Sequence, residues 1–202
     1  MRLLIVRHGA TDTDNAQKCW GHCDLELSEL GLAQAERLRH SLATQPWDAV
    51  YTSTLKRAWQ TAEILNRGRG VDLTRCAELR EIDFGKVEGL TFEEISEHYP
   101  DVARLWAGGS LELAFPGGES IPDVDKRVDR FARRLSKQKP EATVLVVAHG
   151  GPLRLLLCHL LGIGVQHWWQ FRFEHASLSV VESYPEGGML LKLNDLSHLQ
   201  AS

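Results

Sequence analysis

The chain has 202 residues, of which 43% are hydrophobic and 25% are charged, and its formal net charge is −4. This length suits one domain with its own buried core, and the balance of residue types is that of an ordinary globular protein. An acidic chain argues against non-specific nucleic-acid binding, which needs a basic surface. It does not exclude a small anionic substrate, because a few arginines can dominate the field inside a pocket.

The first half of the chain alternates between predicted strands and helices. Residues 3–6 form a short, continuous apolar run, which is typical of a strand buried on both faces of a parallel sheet. A helix is predicted after a Ser28 cap, and its inner face should carry Leu32, Ala35, Leu38 and Leu42. Residues 47–53 are predicted as the second strand, and the next helix begins after a cap at Ser53 or Thr54.

The second half continues the same alternation around one insertion. Residues 73–82 are predicted as a strand that runs into a loop, and residues 88–120 as a lid or specificity insertion with two short helices. A long helix follows Ser120, then a buried strand at 142–148, a helix from Pro152 to Gly162, and a final hairpin. We therefore predict an α/β fold, a three-layer αβα sandwich with a mostly parallel central sheet, in a single domain over residues 1–202.

Two of the predicted strands end in a histidine followed by a glycine. The first runs into Arg7, His8 and Gly9, and the later one into His149 and Gly150. Ligands of such folds lie beyond the carboxyl ends of the strands, so the two histidines face one crevice if their strands are neighbours. Arginine binds phosphate oxygens in a bidentate manner, a neutral imidazole is a nucleophile, and the amino end of the helix after Gly150 suits an anion. These residues predict a phosphate pocket with a histidine nucleophile.

Five blocks in order resemble the histidine phosphatase superfamily, also called the phosphoglycerate-mutase-like family. They are RHG at 7–9, YTSTLKRAWQTA with Arg57, ELREIDFGKVEG with Glu81, PGGES followed by Arg127, and VVAHGGPLRLLL with His149. The resemblance implies the phosphoglycerate-mutase-like fold and phosphoryl chemistry that needs neither a metal nor a cofactor.

The family mechanism assigns a role to each of five residues. The resemblance implies that His8 attacks phosphorus and becomes phosphohistidine, and that Glu81 protonates the leaving alkoxide. The groups that it implies for holding the phosphoryl oxygens are Arg7, Arg57 and His149.

The loop after RHG departs from the family pattern. Ala10 replaces the usual glutamate, and Asp14 stands at the asparagine position with Asn15 one step later. A carboxylate would repel the phosphate, so either Asn15 makes the contact or Asp14 faces away. The WGHCD stretch resembles a loop that contributes to the family's pocket, so Gly21 and His22 are expected to contact the substrate. Gly150 is expected to do so as well, because its backbone can come close to a ligand, besides Arg7 and Arg57.

The compact insertion favours a phosphatase over a mutase, because mutases of this family carry a larger one. The stretches MRLLIVRHG, GHCDLELSELG and HWWQFRFEHASLSVV resemble the α-ribazole phosphatases of cobalamin biosynthesis. Broad-specificity hydrolysis of sugar phosphates, phosphoserine or nucleotides stays open as an alternative.

Two other classes of protein are weighed against the phosphatase. A binding protein without turnover should have lost one of the five catalytic residues, and all five are present. A metallohydrolase needs a carboxylate cluster beside the histidines, for which Asp12 and Asp14 are the only candidates nearby. Cys19 and Cys23 flank His22, but no second cysteine pair follows, so we predict free thiols and no metal site.

The expected partner is a small phosphorylated metabolite, with no nucleic acid and no membrane. No apolar run approaches the roughly 20 residues of a membrane-spanning helix, and the amino-terminal run is too short for a signal peptide. We therefore expect a cytoplasmic protein. A homodimer, paired through the closing strand, is left open.

Overall fold

The computed structural model describes residues 1–12 and 18–200, so Asp14 and Asn15 lie outside the described residues. The strands are β1 Arg2–Arg7, β2 Ala49–Ser53, β3 Leu73–Cys76, β4 Thr143–Ala148, β5 Leu178–Tyr184 and β6 Gly187–Asp195. The α-helices are α1 Glu29–Ser41, α2 Lys56–Asn66, α3 Phe92–His98, α4 Pro100–Ala107, α5 Ile121–Leu135 and α6 Gly150–Leu161.

The strands form one sheet in the order β3-β2-β4-β1-β5-β6. The first four are parallel, while β5 is antiparallel to β1 and β6 is antiparallel to β5. Alternate residues of β1 enter two apolar layers: Leu3 and Ile5 pack with the α5–α6 layer, and Leu4 and Val6 with the α1–α2 layer. The predicted three-layer αβα sandwich with a mostly parallel sheet is confirmed.

The carboxyl edge of the sheet brings the two predicted histidines together. Strands β1 and β4 are neighbours in register, with Arg7 opposite Ala148, so the residues that follow them lie side by side. The His8 backbone N–H donates to the Ala148 carbonyl at 3.0 Å. Because β5 runs the other way, residues that precede it, rather than follow it, reach the same edge.

The inner face of α1 differs from the prediction. Ser28 caps the helix as expected, and Ala35, Leu38 and Leu42 are buried, but Leu32 is 43% exposed and Gly31 faces inward instead. A Cβ on Gly31 would lie 2.0 Å from the Ala10 carbonyl oxygen. The helix packs directly on the backbone after β1, where only glycine fits, and this close approach turns Leu32 towards solvent.

Two helix starts also differ from the prediction. Neither Ser53 nor Thr54 caps α2, whose N-cap is Leu55; the carboxylate of Asp24, from a distant loop, accepts from the Lys56 N–H at 2.7 Å instead. Helix α6 begins at Gly150, two residues before Pro152. The first turn of a helix tolerates proline because its N–H groups have no partner within the helix.

The insertion over residues 88–120 carries α3 and α4. Thr91 and Glu94 form the predicted capping box at the start of α3. The Trp168 indole N–H donates to the Gly109 carbonyl at 3.1 Å and ties the insertion to the segment after α6. A lid function for this insertion stays a prediction, as does the division of the chain into domains. Within the described chain, no helix has both the length and the apolar content to cross a membrane.

Candidate active site

A cavity of about 60 Å³ lies at the carboxyl edge of the sheet. It is lined by Arg7, His8, Thr11, Lys18, Trp20, Leu25, Arg57, Glu81 and His175. Four of the five residues predicted to be catalytic therefore share one cavity. The fifth, His149, is fully buried, and its ring centroid is 4.9 Å from that of His8.

The His8 ring is oriented by its own backbone. Its Nδ1 is 2.7 Å from the Gly9 carbonyl oxygen, and a carbonyl only accepts, so Nδ1 carries the proton and Nε2 has the lone pair. The Gly9 N–H donates to the Thr61 hydroxyl at 3.1 Å, and that hydroxyl donates to the Arg57 carbonyl at 2.7 Å. The turn that carries His8 is thus fixed to α2.

Burial makes His8 a neutral imidazole. His8 is only 4% exposed to solvent, and the loss of hydration lowers the pKa of its imidazole well below the ordinary 6.5. The neighbouring His149, which would repel a second positive charge, and the charged groups of Arg57 and Arg7 lower the pKa further. A neutral imidazole retains its lone pair at physiological pH, which is the form that can attack an electrophile.

His149 has no hydrogen-bond partner for either ring nitrogen among the residues described, although it is 0% exposed. Burial, followed by the charges of Arg57 and Arg7, lowers its pKa well below 6.5. A buried polar group without a hydrogen-bond partner lowers the stability of the fold. This cost indicates that a bound ligand supplies the missing partner of His149. A phosphoryl oxygen beside His8 can accept from the N–H of His149.

Two guanidinium groups give the cavity its positive charge. Arg57 is 2% exposed and donates to the carbonyls of Cys23, at 2.8 Å, and Gly21, at 2.7 Å. Arg7 donates to the Phe173 carbonyl at 2.7 Å. Backbone carbonyls thus hold both groups in place at the cavity, and two fixed arginines suit a doubly charged phosphate.

The Glu81 carboxylate is held through one of its oxygens. Oε1 accepts from the N–H groups of Ile82 and Gly151, each at 3.0 Å, while Oε2 is 3.4 Å from the Gly151 nitrogen. A Cβ on Gly151 would lie 2.5 Å from Oε1, so this contact requires glycine. The amino end of α6 was expected to suit a ligand anion, and at Gly151 it holds the protein's own carboxylate instead.

A second set of residues fixes the main chain of Glu81. Its carbonyl accepts from Arg127 and from the His22 Nε2–H, both at 3.0 Å. Arg127 is itself paired with Glu119 at 2.8 Å. His22 therefore supports the loop that carries Glu81 and is not among the residues lining the cavity, so its expected contact with substrate stays a prediction.

The remaining predicted contacts are glycines and one loop residue. A Cβ on Gly21 would lie 2.2 Å from the Ile82 carbonyl oxygen, so this glycine allows the two loops to touch. A Cβ on Gly150 would meet only Glu81 Oε2, at an ordinary 3.8 Å. Substrate contacts by Gly21 and Gly150 stay predictions, and Asn15 falls outside the described residues.

His175 is a titratable residue of the cavity that was not predicted from the sequence. Its ring centroid is 5.2 Å from that of His8, and its Nε2 is 2.7 Å from an Arg7 Nη. It precedes β5, and the direction of that strand decides whether it reaches the site. His175 could have been predicted from the sequence only by assigning the closing strand as antiparallel to β1 and next to it. Lys18 and Trp20, which also line the cavity, lie in the loop that was assigned only through Gly21 and His22.

Chemistry rather than size distinguishes this cavity. Four larger cavities, of about 270, 390, 310 and 250 Å³, lie elsewhere in the described part of the chain, and none of them is lined by two arginines. In residues 1–12 and 18–200, no group of three or more His, Cys, Asp or Glu side chains could hold a metal ion.

Comparison with known proteins shows which family carries this arrangement of histidines, arginines and a glutamate. The family model described as histidine phosphatase superfamily (branch 1) matches residues 3–196. The chain belongs to the histidine phosphatase superfamily. It is a phosphatase, as the five sequence blocks implied.

Several members of the superfamily resemble the chain over nearly its whole length. Phosphoserine phosphatase 1 of Hydrogenobacter thermophilus is 34% identical over 199 residues, which cover 98% of this chain and 94% of that protein. The adenosylcobalamin/alpha-ribazole phosphatase of Salmonella typhimurium is 32% identical over 182 residues, 90% of each chain. The alpha-ribazole phosphatase of Shigella flexneri has a similar structure, with a TM-score of 0.88 at 29% identity over 96% of each chain.

Proposed function

We propose that this histidine phosphatase hydrolyses a small phosphomonoester through a covalent phosphohistidine on His8. The observation that carries the proposal is the state of the His8 ring. Nδ1 is committed to the Gly9 carbonyl, and Nε2 keeps its lone pair in a cavity that two arginines line. Such a nucleophile needs no general base, because it has no proton to lose before it attacks.

In the first step the His8 Nε2 forms a bond to phosphorus as the bond to the ester oxygen breaks. Arg7 and Arg57 balance the charge on the phosphoryl oxygens, and the His149 N–H donates to one of them. Glu81, in its protonated form, gives its proton to the leaving alkoxide. The Gly151 and Ile82 N–H groups hold Oε1, so Oε2 is the oxygen that exchanges the proton.

In the second step water replaces the histidine. Glu81, now a carboxylate, takes a proton from the attacking water, the new bond forms to phosphorus, and the bond to Nε2 breaks. Inorganic phosphate leaves, and both His8 and Glu81 return to their starting protonation states. The same carboxyl group serves as acid and then as base, which requires that it stay in one orientation.

We propose α-ribazole 5′-phosphate as the first physiological substrate to test. Relatives with this activity in their names match the chain in sequence and in fold. Trp20 lines the cavity, and its indole Nε1 is buried without a partner in the described part of the chain. An indole that lines the cavity can stack on an aromatic base or donate to a hydroxyl of the substrate.

Phosphoserine is the second candidate, because Lys18 also lines the cavity. Lys18 is exposed and makes no salt bridge within the chain as described. An ammonium group at this position suits a carboxylate of the substrate, and the similar phosphatase of Hydrogenobacter thermophilus is named for phosphoserine.

The direct test is hydrolysis of p-nitrophenyl phosphate by the wild type and by His8→Ala. We expect His8→Ala to lose activity by at least a thousandfold while keeping its fold, and the wild type to keep its rate in EDTA. Substantial activity in His8→Ala, or loss of wild-type activity in EDTA, would reject the phosphohistidine mechanism. The control is His40→Gln on the exposed face of α1, which should match the wild type.

A substrate panel then separates the two candidates. It contains α-ribazole 5′-phosphate, phosphoserine, a sugar phosphate and a nucleoside monophosphate, compared by kcat/KM. Preference for phosphoserine that Lys18→Gln removes would support the carboxylate contact. Preference for α-ribazole 5′-phosphate that Trp20→Leu removes would support the aromatic contact.

A further inference from the structure

His175 contacts the arginine next to the proposed nucleophile. Its Nε2 is 2.7 Å from Nη2 of Arg7, and Nη1 of the same guanidinium donates to the Phe173 carbonyl at 2.7 Å. Residues 173 and 175 therefore bind the two terminal nitrogens of Arg7 from one short segment. Two anchors prevent the planar guanidinium from turning about its long axis, which one anchor alone would allow.

The chemistry of the pair assigns the protonation state of His175. Arginine has donors and no acceptor, so the Nε2 of His175 must accept the hydrogen bond. The ring proton then lies on Nδ1. A protonated ring would present a second donor to the guanidinium and would lose this bond.

The main chain holds His175 at this position. The N–H of Ala176 donates to the carbonyls of both Arg7 and His8, each at 3.0 Å. Ala176 has a φ of 55°, a left-handed conformation that alanine rarely adopts, and it is fully buried. Such a conformation persists only where the surrounding contacts enforce it, and here they connect the segment before β5 to the two residues at the end of β1.

We propose that His175 is a positioning residue, whose Nε2 lone pair holds the Arg7 guanidinium in its phosphate-binding orientation. This inference rests on the proposed function, because it takes Arg7 as a ligand of the phosphoryl group. His175 acts through Arg7: it supplies the second anchor of the guanidinium, and its own ring forms one wall of the cavity.

Three variants of His175 separate the lone pair from the bulk of the ring. Gln can place its amide oxygen where Nε2 lies and so keeps an acceptor, whereas Leu and Ala have none. We expect kcat/KM for p-nitrophenyl phosphate to fall about tenfold to a hundredfold in His175→Leu and His175→Ala, as for the loss of one hydrogen bond to a charged group. His175→Gln should stay within about threefold of the wild type. The inhibition constant of orthovanadate should rise in parallel.

A double-mutant cycle tests whether the effect passes through Arg7. In an Arg7→Ala background, the change of His175→Leu should cost less than about threefold, because the group that His175 orients is gone. Thermal unfolding of every variant shows whether it is folded. His175→Ala gives the same comparison where the leucine variant fails to fold.

Some results would contradict the positioning role of His175, and a different one would contradict the proposed function. Wild-type activity in both His175→Leu and His175→Ala, equal losses in His175→Gln and His175→Leu, or full additivity with Arg7→Ala would each overturn the positioning role. A different result would overturn the proposed function instead: Arg7→Ala as active as the wild type means that Arg7 does not bind the phosphoryl group.

Discussion

Acid should destabilise this protein through its two buried, neutral histidines. In the folded chain, burial and neighbouring positive charges lower the pKa of both His8 and His149 well below 6.5, whereas in the unfolded chain each pKa returns to about 6.5. As the pH falls through that value, the unfolded state binds protons that the folded state does not. The free energy of unfolding therefore decreases towards acid pH and is unaffected by these residues well above pH 7.

The magnitude follows from the linkage relation. Between pH 7 and pH 5.5, one such histidine lowers the free energy of unfolding by about 1.2 kcal/mol, and two lower it by about 2.5 kcal/mol, when both rings stay neutral in the folded chain throughout this interval. Urea denaturation at several pH values in this interval measures the change in the wild type and in His8→Asn/His149→Asn. The wild type should lose about 2.5 kcal/mol more than the double variant. Equal losses in the two proteins would refute the neutral buried pair.

Three further changes test the contacts around the site. Glu81→Gln should lower kcat/KM for alkyl phosphates far more than kcat/KM for p-nitrophenyl phosphate, because kcat/KM reports formation of the phosphoenzyme and a nitrophenolate leaves without a proton; equal losses in kcat/KM would count against the acid role. Gly151→Ala places a Cβ 2.5 Å from the Glu81 carboxylate and should reduce kcat at least tenfold, whereas Gly150→Ala, with a 3.8 Å contact, should not, and the reverse order would contradict the contact. Arg127→Ala removes a buried guanidinium, leaves the half-buried Glu119 carboxylate without its partner, and should cost about 3 kcal/mol in urea denaturation, against under about 1 kcal/mol for the exposed Arg133→Ala on the same helix; similar losses would refute a structural role for the Arg127–Glu119 pair.

The ends of the strands could be predicted because they depend on short stretches of sequence. A short, continuous apolar run indicates a strand buried on both faces, and parallel neighbours must end at the same edge. These two facts put His8 and His149 at one edge of the sheet, and the pairing of β1 with β4 in the structure makes them neighbours. Glu81 is different, because only the family resemblance selected it among nearby carboxylates. Its binding by the Gly151 N–H depends on how the loop and α6 meet in space.

The errors arose where contacts between distant segments replaced local signals. The apolar spacing in α1 placed Leu32 inside, yet the close approach of the helix to the backbone after β1 put Gly31 there. Ser53 and Thr54 satisfied the local rule for a helix cap, but Asp24 provides the cap from another loop. His175 was missed for the same reason, since its place in the site depends on the antiparallel pairing of β5 with β1.

The covalent intermediate tests the account most directly. In Glu81→Gln, a good leaving group should still let His8 be phosphorylated while hydrolysis slows, so the phosphoenzyme should accumulate with p-nitrophenyl phosphate. After quenching in alkaline denaturant, where phosphohistidine survives, tandem mass spectrometry identifies the phosphorylated residue and ³¹P NMR identifies the ring nitrogen. We predict one phosphate per chain, on Nε2 of His8, because Nδ1 is bound to the Gly9 carbonyl. Phosphate on Nδ1 or on another residue, or no phosphoenzyme in a variant that still turns over, would contradict the account.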